Sequence, residues 1–408
     1  MLAGYRFHIK DRQAPGRSAE AVSGAVVPFW LFVGFSVVST GGPLALAALY
    51  GPGVVSPLSS AGLEVVLAVV LFGVPMAVWY AYSRDIASAG GLFSFVEAAA
   101  GRRLALLEGA VWVVSYFLYL PYTVTYVVYY VLPAVVPGAL PYRSSLEVLL
   151  PLALAVLGFV RLRRALYLVA VLAIGQLAVL VAFAAAGMAH LGAAPGAFEV
   201  HGAARHIFGG TVNFSLLFIC ASLPLYLGGE AAKGARTVRR GLLGGFVLSG
   251  GLVVLGLLAW SHAGSGLTGG VVPGVALAEQ SWGHWFGVVV GLTVAASVTG
   301  LIIAEFLALP RLLHAMSGKG LRTTTSWVAA GFVVADVLSL VNPGAFYSDL
   351  LKPSLVALWV SELPVFAVFP LFAFRRRLAL VPALVLAGGS LALMSYGLYT
   401  AVMAVVAT

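Results

Sequence analysis

The chain has 408 residues, 61% of them hydrophobic and only 9% charged, with a mean hydropathy of +1.04, which excludes a soluble globular protein. Its net charge of +9 is gathered in short clusters between apolar runs, so it reports membrane topology rather than nucleic-acid binding. A single cysteine, Cys220, excludes an internal disulfide and a cysteine metal cluster.

Apolar windows of about 20 residues, enough to cross roughly 30 Å of hydrocarbon, predict eleven membrane helices near 22–50, 61–82, 104–136, 145–160, 165–189, 207–228, 241–262, 284–313, 325–341, 353–374 and 379–406. The runs do not alternate as barrel strands would. Twenty of the 23 Lys and Arg residues then fall on one side, and only Arg143, Arg205 and Lys352 on the other. A multi-pass protein of the cell membrane is expected, with a cytoplasmic amino terminus and an external carboxyl terminus. The division is a cytoplasmic tail over 1–20, a ten-helix core over 21–374 and an additional membrane helix over 375–408. The tail is polar and basic, without the apolar core of a removable signal peptide.

In chain order, the first span is interrupted by Ser39, Thr40, Gly41, Gly42 and Pro43. Pro43 removes a backbone donor, and each glycine weakens a helix by roughly 1 kcal/mol relative to alanine. Backbone groups freed inside a bilayer need protein, water or a ligand, which makes the interruption a candidate binding site. In the second span Glu64 reads as a solvated rim carboxylate and Pro75 as a packing kink. The connection from Ser83 to Trp112 reads as an amphipathic interfacial helix. The third span is rich in tyrosine, and Tyr119, Tyr122 and Tyr126 share a face that either packs against neighbours or lines a cavity. Gln176 is the strongly polar residue of the fifth span and is expected to hydrogen-bond a neighbouring helix. The histidines lack zinc spacing.

The sixth span repeats the opening theme, with Cys220, Ala221, Ser222, Leu223 and Pro224 at its middle. Five spans separate the two interruptions and the helices cross in opposite directions, the arrangement of an inverted five-plus-five repeat. Thr293 and Ser297 lie one turn apart in the eighth span, and Glu305, Asp336 and Glu362 are ionisable residues within spans, costly there unless paired or hydrated.

Three motifs carry a family resemblance. Gly90, Gly91, Phe93, Phe95, Gly101, Gly109 and Trp112 follow the second span; Glu230, Lys233, Arg236, Thr237, Val238 and Arg240 close the sixth; Arg311, Ala315, Met316 and Gly320 close the eighth. In this order they are similar to the amino acid, polyamine and organocation transporters, in particular the amino acid permeases, over residues 83–321. Where that family commonly has glycine, an aromatic and an acid in the sixth span, this chain has Cys220, Ala221 and Ser222.

The resemblance implies an all-α membrane protein with a leucine-transporter-like core and broken first and sixth helices. It implies a secondary transporter and no enzyme, carrying small neutral amino acids or related amines by symport or exchange. Another small organic solute, such as a nucleobase or polyamine, is the alternative, and an ion channel the alternative class. The free amides from Thr40 through Gly41 to Gly42 are expected to hold a substrate carboxylate, with Ser39 beside them in the binding site. Carbonyls from Phe218 to Ser222, spanning Cys220 and Ala221, would hold the amine, with Tyr119 at the cavity wall. Na+ or H+ is the coupling ion without further cofactor. Thr293 and Ser297, with carbonyls of the first interruption, are the sodium candidates, and Asp336, Glu362 and Glu305 the proton-relay candidates. The expected partners are a small-molecule substrate and the lipid bilayer, not nucleic acid.

Overall fold

Backbone that crosses hydrocarbon satisfies its hydrogen bonds within itself, and this chain does so with helices almost throughout. The computed structural model describes residues 26–406 except 56, 193 and 194; the tail expected over 1–20 lies outside the described residues. In chain order the helices are α1 (Phe29–Val54), α2 (Leu58–Tyr82), α3 (Leu92–Ala100), α4 (Arg102–Val135), α5 (Pro137–Phe159), α6 (Leu162–Leu191), α7 (Ala204–Glu230), α8 (Ala235–Leu258), α9 (Pro273–Trp282), α10 (His284–Ser317), α11 (Leu321–Ser339), α12 (Pro343–Arg375) and α13 (Leu380–Val406).

Ten of these, among the described residues, are long and apolar enough to cross a membrane. The expected span that falls short is the ninth, near 325–341: it is α11, a 19-residue helix made less apolar by Arg322, by three consecutive threonines from Thr323 to Thr325 and by Asp336. The interfacial helix expected after the second span is α3. It lays Leu92, Phe93, Phe95 and Val96 against the bundle, and its entry at Gly91 (φ 52°) leaves room for the Tyr226 ring, which any side chain there would strike. Sequence periodicity gave no sign of α9, a short helix on the loop before α10.

The most apolar windows of α1 and α7 are 89% and 78% buried, against 22% for α5 and 33% for α13. The two interrupted helices therefore form the centre and the uninterrupted ones the rim. Around them α4 packs most extensively on α12, and α12 in turn on α13. The rim turns large aliphatic side chains outward, Val70, Ile174 and Val385 among them, as a surface solvated by lipid requires. Glu64, expected at a solvated rim, is instead fully buried where α2 meets Gly210 of α7.

The end of the bundle that bears the basic clusters is closed by a buried ion pair. The Arg311 guanidinium donates to both carboxylate oxygens of Glu230, at 3.0 to 3.2 Å, and Val27 bonds through its backbone to Glu230 and Ala232 on either side of the same turn. Two residues of separate sequence motifs thus meet in one lock.

Candidate substrate cavity

α1 is helical to Ser39, then turns through Thr40, Gly41 (φ 93°) and Gly42 (φ 70°) before Pro43 restarts it. Only glycine adopts two successive positive φ angles without strain. Gly42 also lies so close to α10 that a β-carbon would collide with the Ser297 hydroxyl. The polar groups here differ from expectation. Ser39 and Thr40 turn their hydroxyls back to the carbonyls of Phe35 and Ser36, each at 2.7 Å, a common use of such side chains in apolar helices. The amides of Thr40 and Gly42 return to the carbonyls of Val37 and Val38. Of this segment, Gly41 is what borders the cavity.

The second interruption starts earlier than Cys220. α7 leaves the α-helix after Leu216, turns at Leu217 and Phe218, and continues as a tight 3-10 helix from Ile219 to Glu230. The Phe218 carbonyl accepts the Ala221 amide at 2.9 Å, and the Ser222 hydroxyl donates to the Ile219 carbonyl at 3.3 Å. The Phe218 ring packs with Phe72, Phe214 and Phe246. Ala221 and Ser222 are buried without bordering the cavity, whereas Cys220 reaches it together with Leu217 and Ile219.

Between the two interruptions lies a cavity of about 290 Å³, walled by α1, α4, α7, α10, α12 and α13. Gly41, Tyr119 and Cys220 are the expected residues that line it; Tyr50, Tyr116 and Trp359 join them, each from a helix position that sequence alone leaves ambiguous between packing and cavity. The Tyr116 hydroxyl donates to the Cys220 sulfur at 3.8 Å. Among the described residues no charged side chain lines the cavity. At the end opposite the ion pair it is covered by stacked tyrosines. Tyr122, Tyr126 and Tyr130 of α4 lie 5.0, 5.8 and 4.5 Å from the Tyr347 ring of α12, and Tyr50 of α1 stacks on Tyr126. The tyrosine face of α4 therefore does both jobs: Tyr119 lines the cavity, and its outer neighbours roof it.

Toward the basic end, three carboxylates stand beyond the cavity wall. Glu305 is one turn past Leu301 on α10, Glu362 one turn past Leu358 on α12, and Glu108 two turns before Tyr116 on α4. All three are buried, and none of their oxygens has a hydrogen-bond partner among the described residues. Glu108 and Glu362 are close enough to interact electrostatically. Glu108 escapes sequence reasoning because it sits six residues inside a helix that begins with two arginines, the usual place of a solvated acid; the packing of α12 on α4 buries it.

Asp336 belongs to a different cluster. It faces Glu147 of α5, whose Oε1 accepts hydroxyls from Thr125 of α4 and Ser339 of α11 at 2.5 and 2.7 Å. None of these residues borders the cavity. Ser297 donates to the Gln176 carboxamide oxygen at 2.5 Å, which meets the expectation of a helix-to-helix bond for Gln176, and the Thr293 hydroxyl donates to the Val289 carbonyl of its own helix. Ser297 is thus brought against the first interruption, and Thr293 is not joined to it by any hydrogen bond. Among the described residues no group of three or more His, Cys, Asp or Glu side chains is placed to hold a metal ion.

No protein-family model matches the sequence, and no curated protein does. Solved structures do match. A crystal structure of MhsT in complex with L-phenylalanine superposes with a TM-score of 0.64 at 14% identity, covering 91% of this chain and 98% of that one. A substrate-bound, outward-open Na+-coupled sialic acid symporter gives 0.58 at 11% identity, covering 96% and 93%. A mutant manganese transporter of Eremococcus coleocola gives 0.58 at 13%, covering 91% and 88%. The chain has the leucine-transporter fold.

α1 and α7 are the interrupted helices, and three residues of α13, Thr400, Ala401 and Ala404, reach the cavity.

Proposed function

We propose that the protein is a secondary transporter of neutral amino acids related to the amino acid, polyamine and organocation carriers, and not an enzyme. The observation that carries this reading is the cavity itself: it lies between two interrupted helices and, among the described residues, is walled without a charged side chain. A zwitterion with no net charge suits such a wall. Backbone at Gly41 would face its carboxylate, and the Cys220 turn, with Tyr116 and Tyr119, would face its amine. A polyamine would leave its charges uncompensated there. A channel would need a continuous polar path, and the Arg311–Glu230 pair and the tyrosine roof interrupt one.

Protons are the favoured coupling ion, because Glu108, Glu305 and Glu362 lie buried between cavity and basic end with no cationic partner among the described residues. An ionised carboxylate in that setting costs several kcal/mol, while the neutral acid is tolerated, so these are positions at which a proton can be carried. The basic end is cytoplasmic on this reading, by the positive-inside bias, and the Arg311–Glu230 lock is the inner gate. Asp336 is assigned to the scaffold cluster with Glu147.

Cys220 gives a direct test. In the purified protein, substrate should slow alkylation of this one thiol, with a half-effect at the concentration that half-saturates uptake. Unchanged labelling at saturating substrate would remove the α7 turn from the site.

A further inference from the structure

The cavity is not confined to the space between the two interruptions. Beyond Gly41 and Cys220 its lining takes in an apolar arm of Leu216 and Leu217 of α7, Leu355 of α12 and Thr400, Ala401 and Ala404 of α13. The hydroxyl hydrogens of the polar side chains beside it are engaged. The Ser115 hydroxyl donates to the Ser354 carbonyl at 2.8 Å, that of Ser354 to the Leu351 carbonyl at 2.8 Å, and that of Thr400 to the Gly397 carbonyl at 2.9 Å. Ala401 is buried and Ala404 exposed, and both border the cavity, so a larger side chain at either would stand against that space. α13 packs along α12 and against α2.

We propose that this arm is the subsite for an apolar substrate side chain, of branched aliphatic or aromatic size, and that Ala401 of α13 sets the size accepted. The inference rests on the transporter reading and names the substrate class of that same site. The whole cavity, about 290 Å³, is at the lower edge of the ~300–1,000 Å³ found for small-molecule sites. One amino acid fills it only if the side chain has somewhere to go, and the arm is the part of the cavity walled mainly by aliphatic side chains. Desolvating a hydrocarbon group there is favourable at ~25 cal/mol per Å², whereas a polar side chain would lose its water without recovering hydrogen bonds.

The test uses proteoliposomes holding the full chain, with L-leucine, L-phenylalanine and L-alanine as probes. Ala401→Phe should raise the half-saturating concentration of leucine and phenylalanine by roughly tenfold or more, the discrimination a filled apolar pocket exerts on a bulky group, and leave alanine within about twofold. Ala404→Leu should give the same order of effects more weakly, so that a failure of the first variant to fold leaves the prediction open to refutation by the second. Val402→Phe, on the exposed face of the same turn, should change none of the three. An equal loss for all three probes in the Ala401 and Ala404 variants, or no change in any, would overturn the arm as side-chain subsite while leaving the transporter reading intact. Failure of the unaltered protein to take up or be competed by any of the three would overturn both.

Discussion

The side chains that decide function here are those whose polar atoms the helices leave unused. Ser39, Thr40, Ser115, Ser222 and Ser354 all spend their hydroxyls on nearby carbonyls, and so carry little chemistry despite their position. Glu108, Glu305 and Glu362 do not. Glu362→Gln keeps the shape and removes the proton site, so it should abolish uptake driven by an inward proton gradient while retaining substrate counterflow at equilibrium pH; Glu108→Gln should weaken the same drive. Gradient-driven uptake at the unaltered rate in both variants would exclude these carboxylates from coupling. Sequence reasoning reaches Glu305 and Glu362 because an acid among twenty apolar residues is conspicuous. It passes over Glu108 beside Arg102 and Arg103, and over Glu147 near Arg143, because burial of both is decided by helices distant in the chain.

At the scale of elements, the interruption of α1 is written locally: two glycines and a proline in succession permit few other conformations, and the break falls where those residues stand. That of α7 is less so. Pro224 marks the helix as irregular, but the turn at Leu217 and Phe218 comes from aliphatic and aromatic residues with no breaking tendency, and follows from the packing of Phe218 into the cluster with Phe72 and Phe246. The same contrast separates Gly42 from an ordinary kink. Gly42→Leu combines a left-handed backbone, costing about 1–2 kcal/mol for a residue with a β-carbon, with a collision against Ser297. It should abolish uptake while the protein still inserts and elutes as a single species in detergent. Normal uptake would show that the interruption serves packing alone.

For the whole molecule, ten helices among the described residues are long and apolar enough to cross a membrane, with the two interrupted ones at the centre, and a structure of the leucine-transporter fold superposes on more than nine-tenths of the chain. Composition and hydropathy suffice for the spans because the bilayer imposes length and apolarity on each helix separately. They do not suffice for the cavity, since its walls are shared among six helices and its roof depends on Tyr347 meeting the α4 tyrosines across the bundle. The most direct measurement is uptake of labelled L-leucine into proteoliposomes under separately imposed proton and sodium gradients. Saturable uptake that is stimulated by the inward proton gradient, indifferent to sodium and collapsed by a protonophore is the predicted result; flux that rises without saturation, or no uptake under either gradient, would contradict it.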